Sequence, residues 1–110
     1  MKQYVIDDFR YSDYTKIKSY MDENYSCSAM GEVYWIPIDN GMLSDVQSEH
    51  LQCKPFYFLV ELTAQAFALE LLVRTKNNIH CNCIAYATEK QRNWCIHYVD
   101  TIFEKFKIIT

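Results

Sequence analysis

Glycine and proline are scarce in this chain of 110 residues, at two each. With only Gly31 and Gly41, no glycine-rich loop is available to cradle a phosphate and no dinucleotide-binding fingerprint can form. No apolar run approaches the ~20 residues that span a bilayer. Met1 to Arg10 carries two aspartates and no hydrophobic signal core, so the reading is a cytoplasmic chain without secretory targeting. Cation excess is absent too. Eleven Lys and Arg against 14 Asp and Glu leave a formal charge of −3. Nucleic acid and anionic membrane need clustered cations, so neither is expected as a partner. The five cysteines are odd in number and follow no disulfide framework, which reads as reduced thiols.

What is present is apolar and aromatic. Half the residues are hydrophobic and 15% are aromatic, enough for a real core in one domain over residues 1–110. The stretch from Pro55 to Phe106 organises that core. Phe56, Phe58, Val60 and Leu62 alternate with Tyr57, Leu59 and Glu61, and Phe67, Leu69, Leu71 and Val73 alternate with Ala68, Glu70, Leu72 and Arg74. Period two over such lengths is the signature of half-buried strands. A two-residue turn at Ala64-Gln65 sets Val60 opposite Leu69 and Phe58 opposite Leu71. The turn lacks the usual Gly or Asn, so a four-residue loop of the same parity is the alternative. A three-residue loop at Lys76-Asn77-Asn78 then pairs Val73 with Cys81, Leu71 with Cys83 and Leu69 with Ala85. A two-residue loop would bury Asn82 without a partner, at a cost in free energy.

Thr88 followed by Gln91 is a capping box. It opens a helix whose Cys95, Tyr98, Val99, Ile102, Phe103 and Phe106 form one stripe, expected on the Phe58/Leu71/Cys83 face. Upstream, Gln3–Phe9 reads as a first strand and Ser12 or Asp13 caps a helix to about Asn24. Val33–Ile38 is a strand that Pro37 confines to an edge or ends. Asp39-Asn40-Gly41 is a turn, and Ser44 with Gln47 opens a short helix to Leu51. The fold class is α+β: a two-layer arrangement of a four-stranded antiparallel sheet, or five-stranded with the N-terminal segment, and two long helices on one face. This element order resembles, in topology alone, the TATA-binding-protein and helix-grip folds, and the small acidic chain is similar in kind to secretion chaperones. No residues are matched, so no functional position follows.

Three functional readings follow. The sheet face away from the helices carries Tyr57, Leu59, Glu61, Glu70, Leu72, Arg74, His80, Asn82, Ile84 and Tyr86, with Glu70 placed between Leu59 and Ile84. That face is too apolar to be fully solvated, which points to a non-enzymatic interaction module, a homodimer or one partner of another protein. Alternatively Glu61, Glu70, Arg74 and His80 form a polar cluster for a small molecule or for acid–base chemistry. The third reading is metal. His80-Cys81-Asn82-Cys83 is suggestive, but a strand sends His80 to the opposite side from Cys81 and Cys83. The set able to converge is His50, Cys53, Cys81 and Cys83. Against it stands burial of these cysteines as small hydrophobes. Cys27, in Ser26-Cys27-Ser28, has no histidine assigned to activate it, so no catalytic residue and no cofactor are expected.

Overall fold

The computed structural model describes residues 2–27, 32–75 and 83–108, apart from the side chains of Ser26 and Cys27. Its elements are β1 (Gln3–Asp7), α1 (Tyr11–Asn24), β2 (Ser26–Cys27), β3 (Val33–Pro37), α2 (Asp45–Glu49), β4 (Phe56–Leu62), β5 (Ala66–Glu70), β6 (Leu72–Thr75), β7 (Ala85–Tyr86) and α3 (Glu89–Lys105). Short 3-10 turns occupy Asn40–Met42 and Leu51–Cys53. The class is α+β, as the alternation and capping signals imply. The strands run β1-β5-β4-β3-β2, antiparallel throughout, with β6 beside the start of β4 and β7 beside β6.

The central hairpin keeps its expected register, Val60 opposite Leu69. Its turn is the two-residue one, and Thr63 explains how it closes without Gly or Asn. The Thr63 amide donates to the Ala66 carbonyl at 2.9 Å, while its hydroxyl accepts from the Gln65 and Ala66 amides. Side-chain hydrogen bonds of this kind mimic a backbone turn.

Beyond Leu69 the hairpin departs from the uninterrupted pairing. Tyr57, which an unbroken hairpin sets opposite Leu72, lies opposite Arg74, and Phe56 lies opposite Thr75. Phe58 therefore has no ladder pairing with Leu71. The chain breaks at Leu71, whose amide donates to Lys2 and whose carbonyl accepts from Ala87. Two extra residues preserve the side-chain phase: Val73 and Thr75 stay buried, and Leu72 and Arg74 stay half-exposed.

The expected third strand is corrected. Val73 pairs with Ala85, not Cys81, and Leu72 with Tyr86. The place beside Leu69 belongs to β1, with Tyr4 opposite Leu69 and Ile6 opposite Phe67. Tyr4 and Ile6 bring larger apolar groups beside Leu69 and Phe67 than the expected Ala85 would, and both pack against the core. The loop at Lys76–Asn78 and the pairing of Cys81 lie outside the described residues.

One face carries the helices. Tyr34, Val60, Leu69 and Tyr4 form a continuous row across β3, β4, β5 and β1, and the first three have no exposed surface. Over this row, Phe103 of α3 meets Phe67 edge-on at 5.3 Å, and Trp94 stacks on Phe58 at 6.5 Å. From α1, Asp22 accepts from the Tyr34 hydroxyl and Lys18 donates to it. Tyr25 and Tyr98 join hydroxyl to hydroxyl, tying the end of α1 to α3. The start of α1 is set by Asp13, whose carboxylate accepts from the Arg10 amide at 3.1 Å and pairs with its guanidinium. No helix among the described residues is long and apolar enough to cross a membrane.

These tyrosines make the fold sensitive to base. Burial, then the bond to Asp100 at 2.6 Å, pushes the Tyr4 phenol up to about 12. Burial, then Asp22, does the same for Tyr34, up to about 12, and burial raises Tyr25 further. A phenol whose folded pKa is raised contributes stability below its unfolded value near 10, and that contribution fades as pH rises from about 10 to 12. Ultraviolet titration should therefore show Tyr4, Tyr25 and Tyr34 ionising late, together with loss of structure. Normal ionisation of all nine tyrosines in a folded chain would contradict this packing.

Candidate metal centre

His50 and Cys53 are brought together by the local backbone. His50 ends α2 and precedes the turn Leu51–Cys53, where the Cys53 amide donates to the His50 carbonyl at 3.0 Å. A 3-10 turn has three residues per turn, so side chains at i and i+3 eclipse. The spacing His-x-x-Cys thus places imidazole and thiol on one side. Cys83 arrives from the far side of the sequence, in a turn just before β7. One ligand atom each from His50, Cys53 and Cys83 lies within 4.8 Å of the others. Ligands around a tetrahedral zinc, with Zn–S near 2.3 Å and Zn–N near 2.0 Å, sit about 3.5–3.8 Å apart. The donors are therefore gathered to within about 1 Å of those separations.

Cys53 and Cys83 are 4% and 2% exposed, and His50 is half-buried. Burial opposes a lone thiolate, as the core thiol Cys95 shows: it has no exposed surface and its pKa is pushed up by desolvation alone. A divalent cation removes that penalty at the cluster, since two thiolates and one divalent ion sum to zero charge. Soft sulfur with imidazole is the donor set that suits zinc.

The surroundings hold the ligands' backbones. Among the described residues the buried polar side chains are Asp13, Gln47, Thr75 and Gln91, and three of these four gather here. The Thr75 hydroxyl donates to the Cys53 carbonyl. The Gln47 amide donates to the Cys83 carbonyl at 3.4 Å, and Gln91 donates to Gln47 at 2.7 Å. Both glutamines are also the third helical residues of the two capping boxes, accepting from Ser44 and Thr88 amides at 3.0 Å. Two helix N-termini are thus joined through their caps in the interior.

Of the four residues read from sequence as able to converge on a metal, three do so, and Cys81 lies outside the described residues, as do His80 and Asn82. Cys53 and Cys83 are buried, as the reading of them as small hydrophobes expects, but Cys83 sits in a turn and not in a strand facing Leu71. What sequence reasoning missed is the role of Gln47 and Gln91 beyond capping. Their only signal was that two capping boxes both use Gln at the third position.

The outer sheet face is assembled in part. Leu59 lies opposite Trp35 of β3, and Trp35 meets Tyr57 edge-on at 5.6 Å. Tyr57, Leu59, Glu70, Leu72, Arg74 and Ile84 are half-exposed and Glu61 is exposed. Glu70 points away from α3, as its phase requires, but its ladder neighbour is Gln3 of β1 and not Ile84. Arg74 pairs with the Glu70 carboxylate at 2.8 Å. Among the described residues no ion pair or hydrogen bond joins Glu61 to either of them. Tyr86 is 44% exposed and lies opposite Leu72, not beside Ala68; the Lys2 ammonium sits 5.4 Å over its ring.

Comparison with protein-family models, curated proteins and solved structures finds no match for this chain.

Proposed function

We propose that this chain is a metal-binding α+β domain that holds one zinc ion through His50, Cys53 and Cys83. The observation that carries the reading is the meeting of three donors from two remote segments within 4.8 Å. Elemental analysis of protein purified without added metal tests it. The expected result is near one equivalent of zinc per chain, lost in Cys53→Ser and Cys83→Ser. Wild-type protein with no metal near one equivalent, and none taken up on addition, overturns it.

A second reading concerns the opposite face. The Trp35, Tyr57 and Leu59 side chains form an apolar strip across β3 and β4, and such a strip favours association with a second copy in a homodimer. Light scattering should give twice the chain mass for wild type. Leu59→Lys should give the single-chain mass with little change in melting temperature. A wild-type monomer at high concentration contradicts this reading and leaves the metal site untouched.

A further inference from the structure

Gln47 is in contact with two of the three ligands, and neither contact is through a donor atom of its own to the metal. Its backbone carbonyl accepts from the His50 amide at 3.2 Å, and its side-chain amide donates to the Cys83 carbonyl at 3.4 Å. The orientation of that side chain is itself set. Its oxygen accepts from the Ser44 amide at 3.0 Å and from the Gln91 side chain at 2.7 Å. Gln91 in turn donates to the Met42 carbonyl, and its side-chain oxygen accepts from the Thr88 amide at the start of α3. Both glutamines are almost wholly buried, at 2% and 1% exposed, so breaking either bond leaves a buried polar group unsatisfied.

From this geometry we infer that Gln47 is a positioning residue for the metal site. It fixes the His50 and Cys83 backbones relative to each other, and through Gln91 it couples occupancy of the site to the N-terminus of α3. The inference rests on the metal reading above. Residues outside the ligand set that orient metal ligands commonly change metal affinity about 10–100-fold when replaced. A capping role alone would lower stability without that effect.

Cobalt(II) affinity, measured by competition with a chromophoric chelator, separates the two. Gln47→Met keeps the side-chain length and loses every side-chain hydrogen bond. Ser44→Ala removes the hydroxyl that caps α2 at 3.3 Å without touching Cys83. Gln47→Met is expected to bind cobalt 10–100-fold more weakly than wild type, in line with other residues of this kind, with a shifted visible spectrum. Ser44→Ala should lower the melting temperature and change cobalt affinity by less than about threefold, since it removes only a cap. If Gln47→Met does not fold, Gln91→Met, whose side chain touches no ligand, is read in its place and should weaken cobalt binding in the same direction. Equal affinity in wild type and the folded variant overturns the positioning role alone. Wild-type protein that binds no cobalt overturns the metal reading and this inference together.

Discussion

Stripping the metal from the folded chain should lower its melting temperature on the order of 15–25 °C. A ligand present at a thousandfold excess over its Kd stabilises the native state by about 4 kcal/mol. Each kcal/mol corresponds to roughly 4–8 °C in a domain of about 100 residues, and somewhat less above that size. The effect is large here because the site joins segments distant in sequence. His50 and Cys53 lie between α2 and β4, while Cys83 precedes β7. Without the ion, two buried thiols and an imidazole remain at a corner organised by Thr75, Gln47 and Gln91. Differential scanning fluorimetry before and after treatment with a strong chelator reads the shift. The Cys53→Ser/Cys83→Ser double variant should melt at the lower temperature with or without chelator. An unchanged wild-type melting curve contradicts the proposal.

The second large effect lies in the core. Phe67→Ala should destabilise the fold by about 3–5 kcal/mol, the range for emptying a fully buried aromatic site. Phe67 has no exposed surface, meets Phe103 edge-on at 5.3 Å and pairs across β1 with Ile6. It therefore joins the sheet, the long helix and the N-terminal strand at one point. Against a typical stability of about 5–15 kcal/mol the loss is severe. Val5→Ala is the matched control: Val5 is on the same edge of the sheet, in the opposite phase and 47% exposed. It should change stability by less than about 1 kcal/mol, as exposed substitutions usually do. Urea denaturation of both variants measures the difference. Similar losses at the two sites would mean that the strand faces are wrongly assigned.

That contrast rests on the part of the architecture most legible in the chain. Alternation over Phe56–Leu62 and Phe67–Val73 specified which side chains face the helices. Parity survives even where register does not, because the break at Leu71 adds two residues and not one. The capping boxes at Ser44/Gln47 and Thr88/Gln91 were legible for a similar reason, since a cap is a local pattern with local geometry. Strand neighbours were not. Which strand lies beside β5 is a contest between segments far apart in the chain, and β1 occupies the edge where the third meander strand was expected. Reading 79–85 as a continuous strand followed from extending the hairpin pattern, and only Ala85–Tyr86 of the described residues form strand there.

The metal set of His50, Cys53, Cys81 and Cys83 was legible as the one group of His and Cys able to meet, although the hairpin register gave Cys81 and Cys83 core positions as small hydrophobes. Its assembly was not, because it depends on where the turn before β7 lies relative to the end of α2. Local spacing does explain His50 and Cys53, eclipsed by a 3-10 turn. Nothing local to Cys83 signals its partner. The outer face was read with the right phase and partly wrong neighbours, so Glu70 meets Arg74 within its own chain segment and Gln3 across the ladder.

Cobalt(II) substitution tests the central claim most directly, because its visible spectrum reports both geometry and sulfur ligation. The account predicts intense visible bands of a tetrahedral ion at one equivalent, with a thiolate charge-transfer band that weakens in Cys53→Ser and again in Cys83→Ser. A pale, six-coordinate spectrum with no charge-transfer band, unchanged by either substitution, would contradict it.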